Sequence, residues 1–186
     1  SYLAFSRTQE ATADAAGARY LSAAGISGRG SIDFFMKLQN QEMRYAIPQD
    51  DDQAYSRTHP LSGDRIRFLT DTYSADPAWN HQTPPAIEAR FQRIKAKLFG
   101  FVNDPQVTLR RYPESDTSVP ARYARAYAWH KSAHVDRALA EADALLAAVP
   151  DDPYFLELKG QILLESGRPV DALPPLREAV QETGQQ

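Results

Sequence analysis

Two stretches of this chain repeat at a spacing of 34 residues, and that period restricts the possible folds more than any other feature. Lys131-Ser132-Ala133-His134 aligns with Glu165-Ser166-Gly167-Arg168, and Ala138-Leu139 with Ala172-Leu173. Small residues recur where paired helices would touch, Ala126 answering Gly160 and Ala138 answering Ala172, while Trp129 pairs with Leu163 and Ala142 with Leu176. Pro150 ends the first unit and Asp151-Asp152-Pro153 restarts the next at Tyr154, the punctuation expected between helical hairpins.

A helix-turn-helix unit with this period has the tetratricopeptide spacing. The chain is therefore expected to be all-α, with two such repeats in 119–186, running roughly from Pro120 to Pro150 and from Pro153 to Thr183. Two units are fewer than the three a solenoid usually needs, so they should lean on something. The candidate support is a linking segment, 83–118. There Thr83 caps and Pro84 opens a helix whose Ile87, Phe91, Ile94, Leu98 and Phe101 recur on one face. Gly100 and the Asn103-Asp104-Pro105 turn end it. Gln106 to Val119 shows no helical period and holds Pro113, Ser115, Asp116 and Ser118, which predicts an extended connector.

The first 82 residues form a separate region. Ser6 followed by Gln9 reads as a capping-box start, and the Ala-rich segment from there to Leu21 predicts a helix. On it Glu10 and Asp14, four apart, project from one face, while Ala11, Ala13, Ala15, Ala16 and Ala18 add little bulk, so another helix could approach closely. A carboxylate so presented suits a third zinc ligand, since zinc takes imidazole nitrogen and carboxylate oxygen. The second acid could hydrogen-bond the free ring nitrogen of a ligating His. Spacing alone favours the plainer reading, a solvated acidic pair on an amphipathic helix. After the Gly25 to Gly30 turn a second helix is expected from Ser31 to about Tyr45, with Ile32, Phe35, Met36 and Leu38 inward. The polar run Pro48-Gln49-Asp50-Asp51-Asp52-Gln53 predicts a mobile loop. Pro60 fits the first turn of a further helix continued by Asp64, Ile66, Phe68 and Leu69.

Ser6-Arg7-Thr8-Gln9-Glu10-Ala11-Thr12-Ala13-Asp14 carries an ExxAD pattern, and Thr58-His59-Pro60-Leu61-Ser62-Gly63-Asp64-Arg65-Ile66 a THP-x-S-x-x-R-I pattern. In this order they resemble the zinc metallopeptidases related to the CAAX prenyl protease and HtpX, most of all the soluble periplasmic branch, the β-barrel assembly-enhancing proteases, in which tetratricopeptide repeats follow the peptidase domain. The resemblance implies that Glu10 is a zinc ligand, that Asp14 is its supporting acid, and that His59 stands beside the metal. There it would act catalytically, either as a displaceable ligand or as a donor to the developing oxyanion. It further implies that the acidic loop lies near the substrate cleft as a lid or plug. Arg65 and Asp64 are expected to pin their helix rather than touch substrate.

One element of the family pattern is missing: no HExxH occurs in the sequence. His130-Lys131-Ser132-Ala133-His134 has the i, i+4 spacing but puts Lys where the general base belongs, and its two His correspond to Leu164 and Arg168 in the second repeat, so these are turn residues of a scaffold. The expectation is a polypeptide that begins after the catalytic helix, as an expressed fragment or proteolytic remnant would. It should be inactive as it stands and bind zinc weakly, with zinc belonging to the intact protein.

Composition excludes little. The chain has 186 residues, 42% of them hydrophobic, enough for one or two domains. A net charge of −3 gives no sign of a nucleic-acid surface. No apolar run reaches a membrane span, and the lack of cysteine excludes disulfides and thiolate ligands. Periplasmic residence and envelope protein quality control follow only from the resemblance, as does the groove of the repeats as a site for protein substrates or partners. The alternative is a non-catalytic tetratricopeptide adaptor.

Overall fold

The computed structural model describes residues 2–44 and 63–184, apart from the side chains of 2–7 and 41–44. Among the described residues the regular elements are all helical, as the sequence predicts, and they divide into two compact units, Ser1–Pro84 and Pro85–Gln186. No helix among them is long and apolar enough to cross a membrane.

In the first unit helix α1 spans Tyr2–Ala23. It starts upstream of Ser6, which is therefore inside the helix and not its cap. Tyr2-Leu3-Ala4-Phe5 contains neither Gly nor Pro, so nothing stops the helix from extending that way. Its far end closes on Gly25, whose φ of 66° only glycine adopts cheaply. Gly25 N donates to Ser22 O at 3.0 Å and Ile26 N to Leu21 O at 2.9 Å, the paired closure of a Schellman motif.

Helix α2, Arg29–Arg44, follows. Ile32 is buried and Phe35 and Leu38 are half-buried, but Met36, expected inward, is 48% exposed. One residue beyond Phe35 is a rotation of about 100°, enough to leave the buried stripe. Helix α3, Gly63–Ser74, leads into a 3-10 turn at Pro77–Asn80, capped by the Asp76 side chain accepting from Ala78 N. The start expected at Pro60 and the Pro48–Gln53 run lie outside the described residues.

Ala18, Ile32, Leu69 and Tyr73 form the small core of this unit, with Leu21, Phe35 and Trp79 against it. Gly28 is required there, because a Cβ would stand 2.1 Å from Cδ1 of Tyr73.

The second unit contains α4 Pro85–Val102, α5 Pro105–Arg111, α6 Val119–Lys131, α7 Val135–Ala148, α8 Pro153–Glu165 and α9 Pro169–Glu182. The last four make two hairpins whose local devices recur 34 residues apart. Ser118 caps α6 and Asp152 caps α8 through side-chain oxygens. Ala133 and Gly167 take left-handed φ of 60° and 82° in the two turns. His134 N donates to Trp129 O, and Arg168 N to Leu163 O, each at 2.9 Å. Tyr123, Tyr127, Leu145, Phe155, Leu158 and Ile162 anchor a core that joins the hairpins.

Two expectations for 83–118 are corrected. Helix α4 does support the hairpins, but through its small residues: Ala96 is fully buried, and a Cβ on Gly100 would come 2.5 Å from Ala124 O of α6. The stripe of Ile87, Phe91, Ile94, Leu98 and Phe101 is instead exposed. Periodicity identifies a face and leaves open which face a neighbour covers. The helix also opens at Pro85 rather than Pro84, either proline being acceptable in a first turn.

Gln106 to Val119 is not an extended connector throughout. Asp104 accepts from Gln106 N at 2.8 Å and Pro105 occupies the first turn of α5. The same Asn-Asp-Pro sequence thus stops one helix and starts another. Beyond α5 the non-helical backbone is fastened by Arg125, buried to 1% exposure, which donates from Nη1 to Pro113 O and Asp116 O and from Nε to Oε1 of Glu141 at 2.6 Å. Without such partners a buried guanidinium would be costly.

Candidate functional site

Glu10 and Asp14 lie one turn apart on α1, and both reach Arg65 of α3. Arg65 Nε stands 2.8 Å from Asp14 Oδ2 and Nη2 2.9 Å from Asp14 Oδ1, a fork on one carboxylate. The same Nη2 lies 2.9 Å from Glu10 Oε2. The group is largely withdrawn from water, the side chains of Arg65, Glu10 and Asp14 being 18%, 18% and 8% exposed. The hydrogen bonds to Asp14 raise the guanidinium above its already high pKa against the opposing effect of burial, with Coulombic attraction to both acids adding to the rise.

Arg65 therefore pins α3 to α1, as expected of it. Asp64 does not: its ion pair is with the exposed Arg67 one turn on. The ring nitrogen foreseen as the partner of Asp14 is represented among the described residues by a guanidinium. His59 lies outside the described residues.

A catalytic zinc takes three protein ligands and leaves a further position for water. Among the described residues no cluster of three or more His, Asp, Glu or Cys could hold a metal ion, and the described histidines are engaged elsewhere. His81 Nδ1 lies 3.1 Å from Gly25 O. His130 Nε2 lies 2.7 Å from Glu165 Oε2, and the His134 ring stands edge-on to Trp129. The last two are scaffold residues, in keeping with their places in the repeat. The described donor set is too small for zinc, and no chemical step can be drawn through one.

Residues 1–73 match peptidase family M48. The match includes Glu10, Asp14, His59 and Arg65 and ends within α3, supporting a metallopeptidase origin for this part of the chain. M48 peptidases are generally zinc-dependent. Neither the curated proteins nor the solved structures give a match.

A second candidate lies wholly in the second unit, outside the M48 match. A groove of about 660 Å³ opens between α4 and the starts of α6 and α8. Arg90, Arg93 and Lys97 line one side, and Tyr123, Asp152 and Tyr154 the other. Arg93 Nη2 is 2.7 Å from Asp152 Oδ2, and its guanidinium lies 4.4 Å from the ring centre of Phe155. Lys97 Nζ stands 5.9 Å and 5.8 Å from the ring centres of Tyr123 and Tyr154, in cation–π range. Burial raises the pKa of the Tyr123 hydroxyl, and burial followed by the charge of Glu157 pushes Tyr127 up to about 12, so both rings stay neutral.

The periodicity of Ile94 and Leu98 places them on one face of α4 but does not show that this face stays uncovered and lines a groove. The signal was nonetheless there, since Arg90, Arg93 and Lys97 are spaced by three and four and so fall on one helical face.

Proposed function

We propose that residues 1–73 form the acidic-ligand portion of a zinc metalloendopeptidase domain, and that the two helical hairpins are a tetratricopeptide module that holds polypeptide substrates or partners. One observation carries the first half: within the stretch that matches family M48, Arg65 fixes Glu10 and Asp14 on one face of a helix at low exposure. In this reading Glu10 is a zinc ligand, Asp14 with Arg65 holds it in place, and His59 ligates or stabilises developing charge. The paired imidazoles and general base of HExxH would come from outside these 186 residues. The recurrence of caps, left-handed turn residues and small contact positions at 34-residue intervals supports the second half.

A peptidase portion followed by such repeats fits the β-barrel assembly-enhancing branch, and with it the periplasm and envelope protein quality control. One carboxylate and one imidazole are too few ligands for tightly held zinc, so the 186-residue polypeptide is inactive and binds zinc weakly. The test is to read the complete reading frame for an HExxH helix ahead of Ser1 and to assay its product for chelator-sensitive proteolysis. A frame without that motif, and a product without such activity, would leave the second reading, a non-catalytic adaptor.

A further inference from the structure

We infer that the groove beside α4 binds an extended polypeptide segment in which carboxylate side chains alternate with apolar ones. The inference rests on the protein-binding role proposed for the hairpins and specifies its chemistry.

Charge is the first argument. The groove is lined by three cations and one carboxylate. Arg93 and Asp152 satisfy each other, while Arg90 and Lys97 have no carboxylate partner among the described residues. Lys97 is held instead over two tyrosine rings, which leave its ammonium hydrogens able to donate. Two uncompensated cations on a partly apolar wall attract an anion more strongly than they would in open water.

Shape and apolar surface are the second. Ile94, Leu98 and Tyr154, which line the groove, are 58%, 55% and 57% exposed. Ile87 and Phe91 extend this apolar row toward one end of α4 and Phe101 toward the other. At the helical rise the row is roughly 21 Å long, about the reach of six extended residues. An extended segment sends alternate side chains to opposite sides, so one set could lie on the apolar row while the other meets Arg90 and Lys97. A nucleic acid would also bring negative charge, but its phosphate backbone would leave the exposed aliphatic side chains of Ile94 and Leu98 beside those cations without an apolar partner.

The test is fluorescence anisotropy on the 186-residue chain. The probes are a labelled peptide alternating Asp with Leu or Phe, and its counterpart with Asn for every Asp. The acidic peptide should bind at least about tenfold more tightly, and less so at high salt. Arg90→Glu and Lys97→Glu should each weaken it by about tenfold. Lys95→Glu, on the same helix outside the groove, should leave it unchanged. Arg90 is exposed, so its variant carries the test should Lys97→Glu lower the melting temperature.

Equal binding of both peptides, lost together in Tyr154→Ala, would overturn the acidic specificity while the hairpins kept a protein-binding role. Displacement of the acidic peptide by an equal length of single-stranded DNA would overturn it in favour of a general polyanion site. Binding of neither peptide would overturn the inference and count against the protein-binding reading as well.

Discussion

Arg65 grips Asp14 through two parallel hydrogen bonds of 2.8 Å and 2.9 Å, and so ties α3 to α1 across 51 residues of sequence. Because the same guanidinium also reaches Glu10, the position of the candidate zinc ligand depends on a residue that need not touch metal or substrate.

Arg65→Lys should therefore destabilise the first unit by about 1–3 kcal/mol, since an ammonium is a point donor and cannot reproduce the planar fork while Asp14 stays nearly buried. Denaturant unfolding followed by circular dichroism measures it. A change within error would mean that the ion pair contributes nothing to holding α3 on α1.

Glu141→Gln should cost the second unit about 3 kcal/mol, because Arg125, at 1% exposure, would lose its counter-charge and keep only neutral acceptors, the Pro113 and Asp116 carbonyls and the new amide oxygen. Replacing both residues by apolar ones of similar size, Arg125→Met with Glu141→Leu, should cost less than the single change, as a melting-temperature comparison of the two variants would show.

Gly100→Ala and Gly160→Ala distinguish two kinds of close contact. At Gly100 the new methyl would meet the Ala124 backbone, whereas at Gly160 it would meet the Leu176 side chain, which is half-buried and can shift. Overpacking of about 1–3 kcal/mol should outweigh the gain in helix propensity at Gly100, and Gly160→Ala should be the milder change. Thermal unfolding of the two variants orders them.

These positions also show how far the sequence can be read. The hairpins were legible because capping residues, turn residues and small contact positions all obey one period, so each confirms the others. The packing of α4 was not, because Ala96 and Gly100 carry little hydrophobic signal while Ile87, Phe91 and Ile94 carry a strong one. A periodic stripe attracts the inward assignment even when the tighter helix approach is made by the small residues on the other face. Helix α5 was hidden because Asp104-Pro105 serves both as a stop and as a start. At the candidate site the i, i+4 relation of Glu10 and Asp14 was readable from local geometry. That Arg65 grips both acids at once is a long-range fact that no local pattern encodes.

The Asp76 cap gives a pH signature. Hydrogen bonds from Ser22 and from Ala78 N hold its carboxyl below the usual range in the folded chain. A depressed folded pKa contributes stability that is complete above the unfolded value, near 3.9, and is lost as pH falls through the folded value. The stability difference between the native protein and Asp76→Ala should thus be flat from neutrality to about pH 5 and shrink below about pH 4. Denaturant midpoints across that range measure it, and a difference independent of pH would remove the charged cap from the account.

The most direct test of the metallopeptidase assignment is the zinc content of the protein made from the complete reading frame, measured together with its proteolysis, before and after Glu10→Gln. If Glu10 grips the ion, the amide should release most of the zinc and abolish cleavage while the helical signal stays intact. Full zinc occupancy and undiminished proteolysis in that variant would contradict the account.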